Sequence, residues 1–183
     1  MEIRTSILSG LPLRLVQIVC VLLLALKLAQ WSFAGIFMDE AYYWMWGQHP
    51  ALSYYDHPPL NSWLLSLSGA VFGWNVFALR LPVALAFFAD ILALWLVARR
   101  MGGDTRGNFW LTLLLFLVTP IFSMVTNYAL PDHILLTALL YAIYFFLRFF
   151  MDRSARQAGA GESRSSRFSG RLTESTPHEI TLS

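Results

Sequence analysis

Four stretches of this chain stay apolar for about the length of a bilayer, and that constrains the fold more than anything else in it. A helix crossing the hydrocarbon needs roughly 20 mostly apolar residues. The first candidate runs from Leu13 to Phe37 (LRLVQIVCVLLLALKLAQWSFAGIF), the second from Leu81 to Val97, the third from Phe109 to Val125 and the fourth from Pro131 to Phe150. The first is too long for a signal peptide, and no small-residue cleavage site follows it. The composition agrees: 57% of residues are hydrophobic and only 13% charged, against about 25% charged in an ordinary soluble domain. That balance excludes a disordered protein, a nucleic-acid binder and a typical cytosolic enzyme. Cys20 is the single cysteine, so neither an intrachain disulfide nor a cysteine-based zinc site is available. The sequence predicts an all-α, polytopic membrane protein.

The polar residues refine this plan. Residues 1–152 balance 8 Lys and Arg against 8 Asp and Glu, whereas 153–183 hold 5 Arg, 3 Glu and 7 Ser with few large apolar residues. A segment of that kind cannot bury enough surface to offset its chain entropy. The expected organisation is therefore a membrane domain over 1–152 and a disordered polar tail over 153–183. Between the first two stretches, Leu60, Trp63, Leu64, Leu67 and Val71 recur at helical spacing among Asn61, Ser62, Ser66 and Ser68. This suits a helix lying in the membrane interface. Counting it as a crossing would send Arg99, Arg100 and Arg106 outside, against the positive-inside rule. Four crossings follow, with Met38–Arg80 and Thr126–Asp132 external and both ends of the chain cytoplasmic.

Four acids then fall on the external face, from three separate segments. Asp39 and Glu40 follow the first crossing, Asp56 precedes His57-Pro58-Pro59, and Asp132 opens the fourth crossing beside His133. Carboxylate and imidazole suit Mg, Mn or Zn, so Asp56, His57, Asp132 and His133 form a candidate set for a divalent metal. No tight ligand spacing singles them out, and the cofactor stays open. Inside the crossings, Lys27 and Asp90 stand at similar depth, roughly 14–15 Å from the external end at the helical rise. A charge there is costly unless matched, which predicts that the two pair. The aromatic run Tyr42, Tyr43, Trp44, Trp46 reads as an interfacial belt or as a surface on which a sugar stacks.

The wording around these acids resembles the first external loop of membrane glycosyltransferases that use polyprenyl-phosphate sugars. These are the protein O-mannosyltransferases, the lipid A aminoarabinose transferases and the rhizobial lipid A galacturonosyltransferases. The matching pieces are Asp39-Glu40, the run Tyr55-Asp56-His57-Pro58-Pro59-Leu60, Phe72-Gly73, Arg80-Leu81-Pro82, and Asp132 after Pro131. The resemblance covers about Phe37 to Arg148. It implies the fold of the C-type class and an inverting transfer from a polyprenyl phosphate to an envelope lipid, such as lipid A of lipopolysaccharide, or to a protein. It places the protein in the cell inner membrane with its site on the external face.

The roles it implies follow the chemistry of displacement at a sugar carbon. Asp39 serves as general base on the acceptor hydroxyl or amine, as a carboxylate does in inverting glycosidases. Glu40 orients the loop or acceptor, and Asp132 is the third acid of the catalytic group. Tyr55, Asp56, His57 and Arg80 are the substrate-binding residues, with Arg80 and His57 supplying positive charge to the phosphate. Family members continue through many more helices, so an N-terminal fragment is expected. The rival readings are a transporter fragment, whose embedded charges line a path, and an inactive truncated remnant.

Overall fold

The structure, a computed structural model, describes residues 12–174, with side chains described as far as Ser154. Seven helices make up the described residues: α1 Leu13–Phe33, α2 Met38–Gln48, α3 Leu60–Phe72, α4 Val76–Arg100, α5 Thr105–Val118, α6 Pro120–Val125 and α7 Pro131–Glu174. Three are long and apolar enough to cross a membrane: α1, α4 and the Pro131–Ser154 part of α7. The protein is all-α and polytopic, as its apolar runs predict.

The third expected crossing is two helices rather than one. Pro120 forces the residue before it out of the helical region, and Thr119 sits at φ −65°, ψ 117°. Pro120 then opens α6, where its missing N–H costs nothing. Proline acts differently in α4. There Pro82 lies inside the helix and deprives the carbonyl four residues back, that of Ala78, of its usual donor. Ser68 of α3 supplies the replacement, its Oγ donating to the Ala78 carbonyl at 2.6 Å. The helix runs on through the proline for that reason, and α3 is fastened to α4 by the same bond.

α3 spans only 13 residues, about 20 Å at the helical rise, too short to cross. Its polarity is turned inward: Asn61, Ser62 and Ser68 are buried while Leu60, Trp63, Leu67 and Val71 are exposed. This arrangement fits an apolar surround: Asn61 and Ser68 find carbonyl acceptors inside the protein, those of Ala129 and Ala78. α2 packs along α3, α3 against α4, α4 against α5, and α5 against α1. Gly47 allows α2 to lie close against α3, since a Cβ there would stand 3.1 Å from the Leu65 Cβ. Gly73 ends α3 at φ 79°, and Asn75 caps α4 by accepting from the Ala78 N–H at 3.0 Å.

The chain divides into two compact units, Met1–Tyr144 and Phe145–Ser183, whose boundary falls within α7. The core of the first includes Cys20, Trp31, Leu79, Phe87, Leu113 and Phe116. In the second, Arg148 and Asp152 pair one turn apart at 3.8 Å. The polar stretch expected to be disordered from Arg153 is helical in its backbone as far as Glu174. Positions 175–183 of that expected tail lie outside the described residues.

Candidate functional site

Residues 126–130, the short turn between α6 and α7, are the point on which the buried polar side chains converge. Lys27 of α1 donates to Asn127 Oδ1 at 2.6 Å, and the Asn127 amide donates to Gln30 Oε1 at 3.0 Å. Asn61 of α3 donates to the Ala129 carbonyl at 3.0 Å. Arg80 of α4 donates to the Asn127 carbonyl at 3.1 Å and to the Gly35 carbonyl at 3.2 Å. Glu40 of α2, fully buried, accepts from the Ala129 N–H at 2.8 Å and the Phe37 N–H at 3.0 Å, and it forms an ion pair with Arg80. Four helices thus hold one turn through five side chains. That turn leads directly into Pro131-Asp132.

The predicted site residues accordingly fall into two groups. Glu40 and Arg80 belong to the buried clamp, where each is committed to protein partners. Asp39, Asp56 and Asp132 are exposed. Asp39 and Asp132 lie in the first turns of α2 and α7, where the helix macrodipole favours a carboxylate. Tyr43, also on α2, is buried. Its hydroxyl lies 3.3 Å from His57 Nδ1, and its pKa is raised by burial first, then by the charges of Asp39, Asp132 and Asp56. Neighbouring Tyr42 donates to Asp56 Oδ2 at 2.9 Å, a bond that raises the Tyr42 pKa more than any other influence on it. Tyr55 is 98% exposed, so its ring packs against nothing.

Two sequence expectations are corrected here. His133 does not join Asp56, His57 and Asp132 as a metal ligand; it is buried, with Nε2 3.0 Å from Asp90 Oδ2. Among the described residues no three His, Cys, Asp or Glu side chains come together as a metal site. Asp90 therefore pairs with His133 rather than Lys27, whose ammonium goes to Asn127 Oδ1 and the Ser123 carbonyl. Each charge has a nearer partner on another segment: Asn127 of the 126–130 turn for Lys27, and His133 in the first turn of α7 for Asp90. Tyr43 and Asn127 are the residues that sequence reasoning does not single out. Tyr43 stands in an aromatic run, and Asn127 has no motif around it.

The comparisons with known proteins bear on this geometry. The family described as dolichyl-phosphate-mannose-protein mannosyltransferase matches residues 56–160, more than half of the chain. The chain belongs to that family. The family match takes in Asp56, His57, Arg80 and Asp132, while Asp39 and Glu40 precede it. A lipid A galacturonosyltransferase, RgtD, of Rhizobium johnstonii is 37% identical over 68 residues, 37% of this chain and 14% of the relative. An undecaprenyl phosphate-alpha-4-amino-4-deoxy-L-arabinose arabinosyl transferase 2 of Pseudomonas fluorescens is 34% identical over 71 residues, 39% of this chain and 12% of the relative. The corresponding arabinosyl transferase of Pseudomonas savastanoi pv. phaseolicola is 33% identical over 66 residues, 36% and 12%. The chain thus aligns with a small part of these relatives' length. No solved structure matches it.

Proposed function

We propose that this membrane protein acts in inverting glycosyl transfer, moving a sugar from a polyprenyl-phosphate donor to an envelope lipid such as lipid A, or to a protein. One observation supports the reading most: three acids from three separate segments, Asp39, Asp56 and Asp132, are all left exposed, while their neighbours Glu40 and His133 are drawn inside. Family relatives whose names specify undecaprenyl-phosphate aminoarabinose and lipid A galacturonic acid supply the substrate classes. The site would face the external side of the inner membrane, where a lipid-borne donor and a polar acceptor can meet.

In this reading Asp39 takes the proton from the acceptor hydroxyl or amine as that atom attacks the sugar carbon. The bond from that carbon to the phosphate oxygen breaks, and the polyprenyl phosphate leaves with the electron pair. A phosphate needs no general acid to depart, so positive charge beside it is the more useful contribution. Arg80 has its charge balanced by Glu40, which leaves His57 as the donor-side partner within the exposed group. Asp132 faces the acceptor together with Asp39, and Glu40 with Arg80 fixes the spacing between the two. Tyr55 is free to fold onto a bound sugar.

The test is transfer from a radiolabelled polyprenyl-phosphate sugar to lipid A in membranes containing the protein. Asp39→Asn keeps the shape and removes the base, so transfer should fall by about 10²–10⁴-fold with membrane insertion unchanged. Near-normal turnover in that variant would remove Asp39 from the role, and an unmodified protein without transfer would overturn the reading.

A further inference from the structure

The aromatic run on α2 holds a loop in place. Residues 49–59 form no helix and run back along α2, one contact after another. Tyr54 stacks on Trp46, with ring centroids 4.5 Å apart and planes 6° from parallel. Tyr42 donates to Asp56 Oδ2 at 2.9 Å, and the Tyr43 hydroxyl lies 3.3 Å from His57 Nδ1. Two adjacent tyrosines thus meet two adjacent loop residues. Trp44 turns instead to Trp74, at 4.8 Å between centroids.

The contact between Tyr43 and His57 settles where the imidazole carries its proton. A phenol is protonated at neutral pH, and a buried hydroxyl left without an acceptor is costly. Tyr43 is only 7% exposed, and His57 Nδ1 is the one hydrogen-bond partner of its hydroxyl among the described residues. The ring cannot swing elsewhere: it stands edge-on to His57 at 5.5 Å and to Trp46 at 5.5 Å. The hydroxyl therefore donates to Nδ1, which must be bare to accept. A neutral imidazole with a bare Nδ1 carries its proton on Nε2. His57 is half-buried. Its Nε2 has no partner among the described residues and is not one of the buried unmatched atoms, so it opens outward.

We infer that Tyr43 is a positioning residue, whose hydroxyl holds His57 in the tautomer that presents Nε2–H to the substrate. In that state His57 is a hydrogen-bond donor. It can neither take up a proton nor ligate a metal through Nε2, because that nitrogen has no lone pair to offer. Proton removal is left to the carboxylates. Tyr42 acts in parallel on Asp56, occupying Oδ2 and leaving Oδ1 as the open acceptor. The inference rests on the proposed transfer only in naming what Nε2–H meets, a phosphate oxygen of the sugar donor. The place of the proton is a property of the fold and does not depend on it.

Histidine nitrogen resonances report the place of the proton directly. The protein has 4 histidines, and the His57 signals are identified by their loss in His57→Gln. In dodecyl maltoside micelles at about pH 8, an ordinary imidazole is neutral. There Nε2 should be protonated and Nδ1 bare, its signal displaced by the bond it accepts. Tyr43→Phe keeps the ring beside Trp46 and removes only the hydroxyl. It should shift Nδ1 to the position of an unbonded ring nitrogen, while unmoved His133 signals show that the fold is retained. In transfer assays the same variant should raise KM for the polyprenyl-phosphate sugar about tenfold, the worth of one hydrogen bond, with kcat little changed. A proton on Nδ1, or on both ring nitrogens, in the unaltered protein would overturn the inference. So would an unmoved Nδ1 signal or an unchanged KM in Tyr43→Phe. An unaltered protein that transfers no sugar removes the proposed function, and the nitrogen signals then decide the Tyr43 contact by themselves.

Discussion

Glu40 and Arg80 form an ion pair sealed inside the protein, and each also holds the turn at 126–130, Glu40 through the Ala129 N–H and Arg80 through the Asn127 carbonyl. The pair therefore ties the start of α2, which carries Asp39, to the start of α7, which carries Asp132. Removing one partner strands a buried charge, and that costs more than the pair is worth. Arg80→Ala should lower stability by about 3–5 kcal/mol, measured by unfolding in detergent. The double variant Glu40→Leu, Arg80→Leu should lose less than Arg80→Ala alone.

Asp90 should couple to His133 and not to Lys27. In a double-mutant cycle, the alanine variants of Asp90 and His133 should be clearly non-additive, whereas Asp90 with Lys27 should be closer to additive. A larger interaction energy for Asp90 with Lys27 would contradict the observed 3.0 Å contact between Asp90 and His133.

Ser68 and Pro82 should depend on one another. Ser68→Ala leaves the Ala78 carbonyl without a donor and should cost about 1–3 kcal/mol. In a Pro82→Ala background the restored backbone N–H serves that carbonyl, so the same serine change should cost less. Equal costs in the two backgrounds would show that the bond is not a replacement.

Tyr43 should ionise above its ordinary 10.0. Because the folded hydroxyl keeps its proton to higher pH than the unfolded one, its contribution is intact below the unfolded value and is lost as pH rises through the folded one. Stability should therefore fall above pH 10 less steeply in Tyr43→Phe than in the unaltered protein. Ultraviolet titration and unfolding at pH 9 to 11 would check this.

The crossings can be checked with single cysteines in a Cys20→Ser background. Gln48 and Met101 are both exposed, on either side of α4. An impermeant thiol reagent added outside should label a cysteine at 48 and not one at 101. Labelling at both would mean that α3 crosses the membrane.

The sequence by itself determined where the helices are, because apolar length and proline position are local properties. It located α1, α4 and the apolar part of α7, and kept the short Leu60–Phe72 helix out of the crossings. It did not show that Thr119-Pro120 divides the third run, although the proline was legible, since whether a helix continues past proline depends on a neighbour. Ser68 rescues α4 at Pro82; among the described residues nothing equivalent appears at Pro120. Tertiary structure alone decided which of two adjacent polar residues faces the site. Asp39 is exposed and Glu40 is buried; Asp132 is exposed and His133 is buried. Consecutive side chains on a helix stand about 100° apart, so adjacent residues point to different surroundings, and only the packing of α2, α3, α4 and the 126–130 turn fixes which of them points inward.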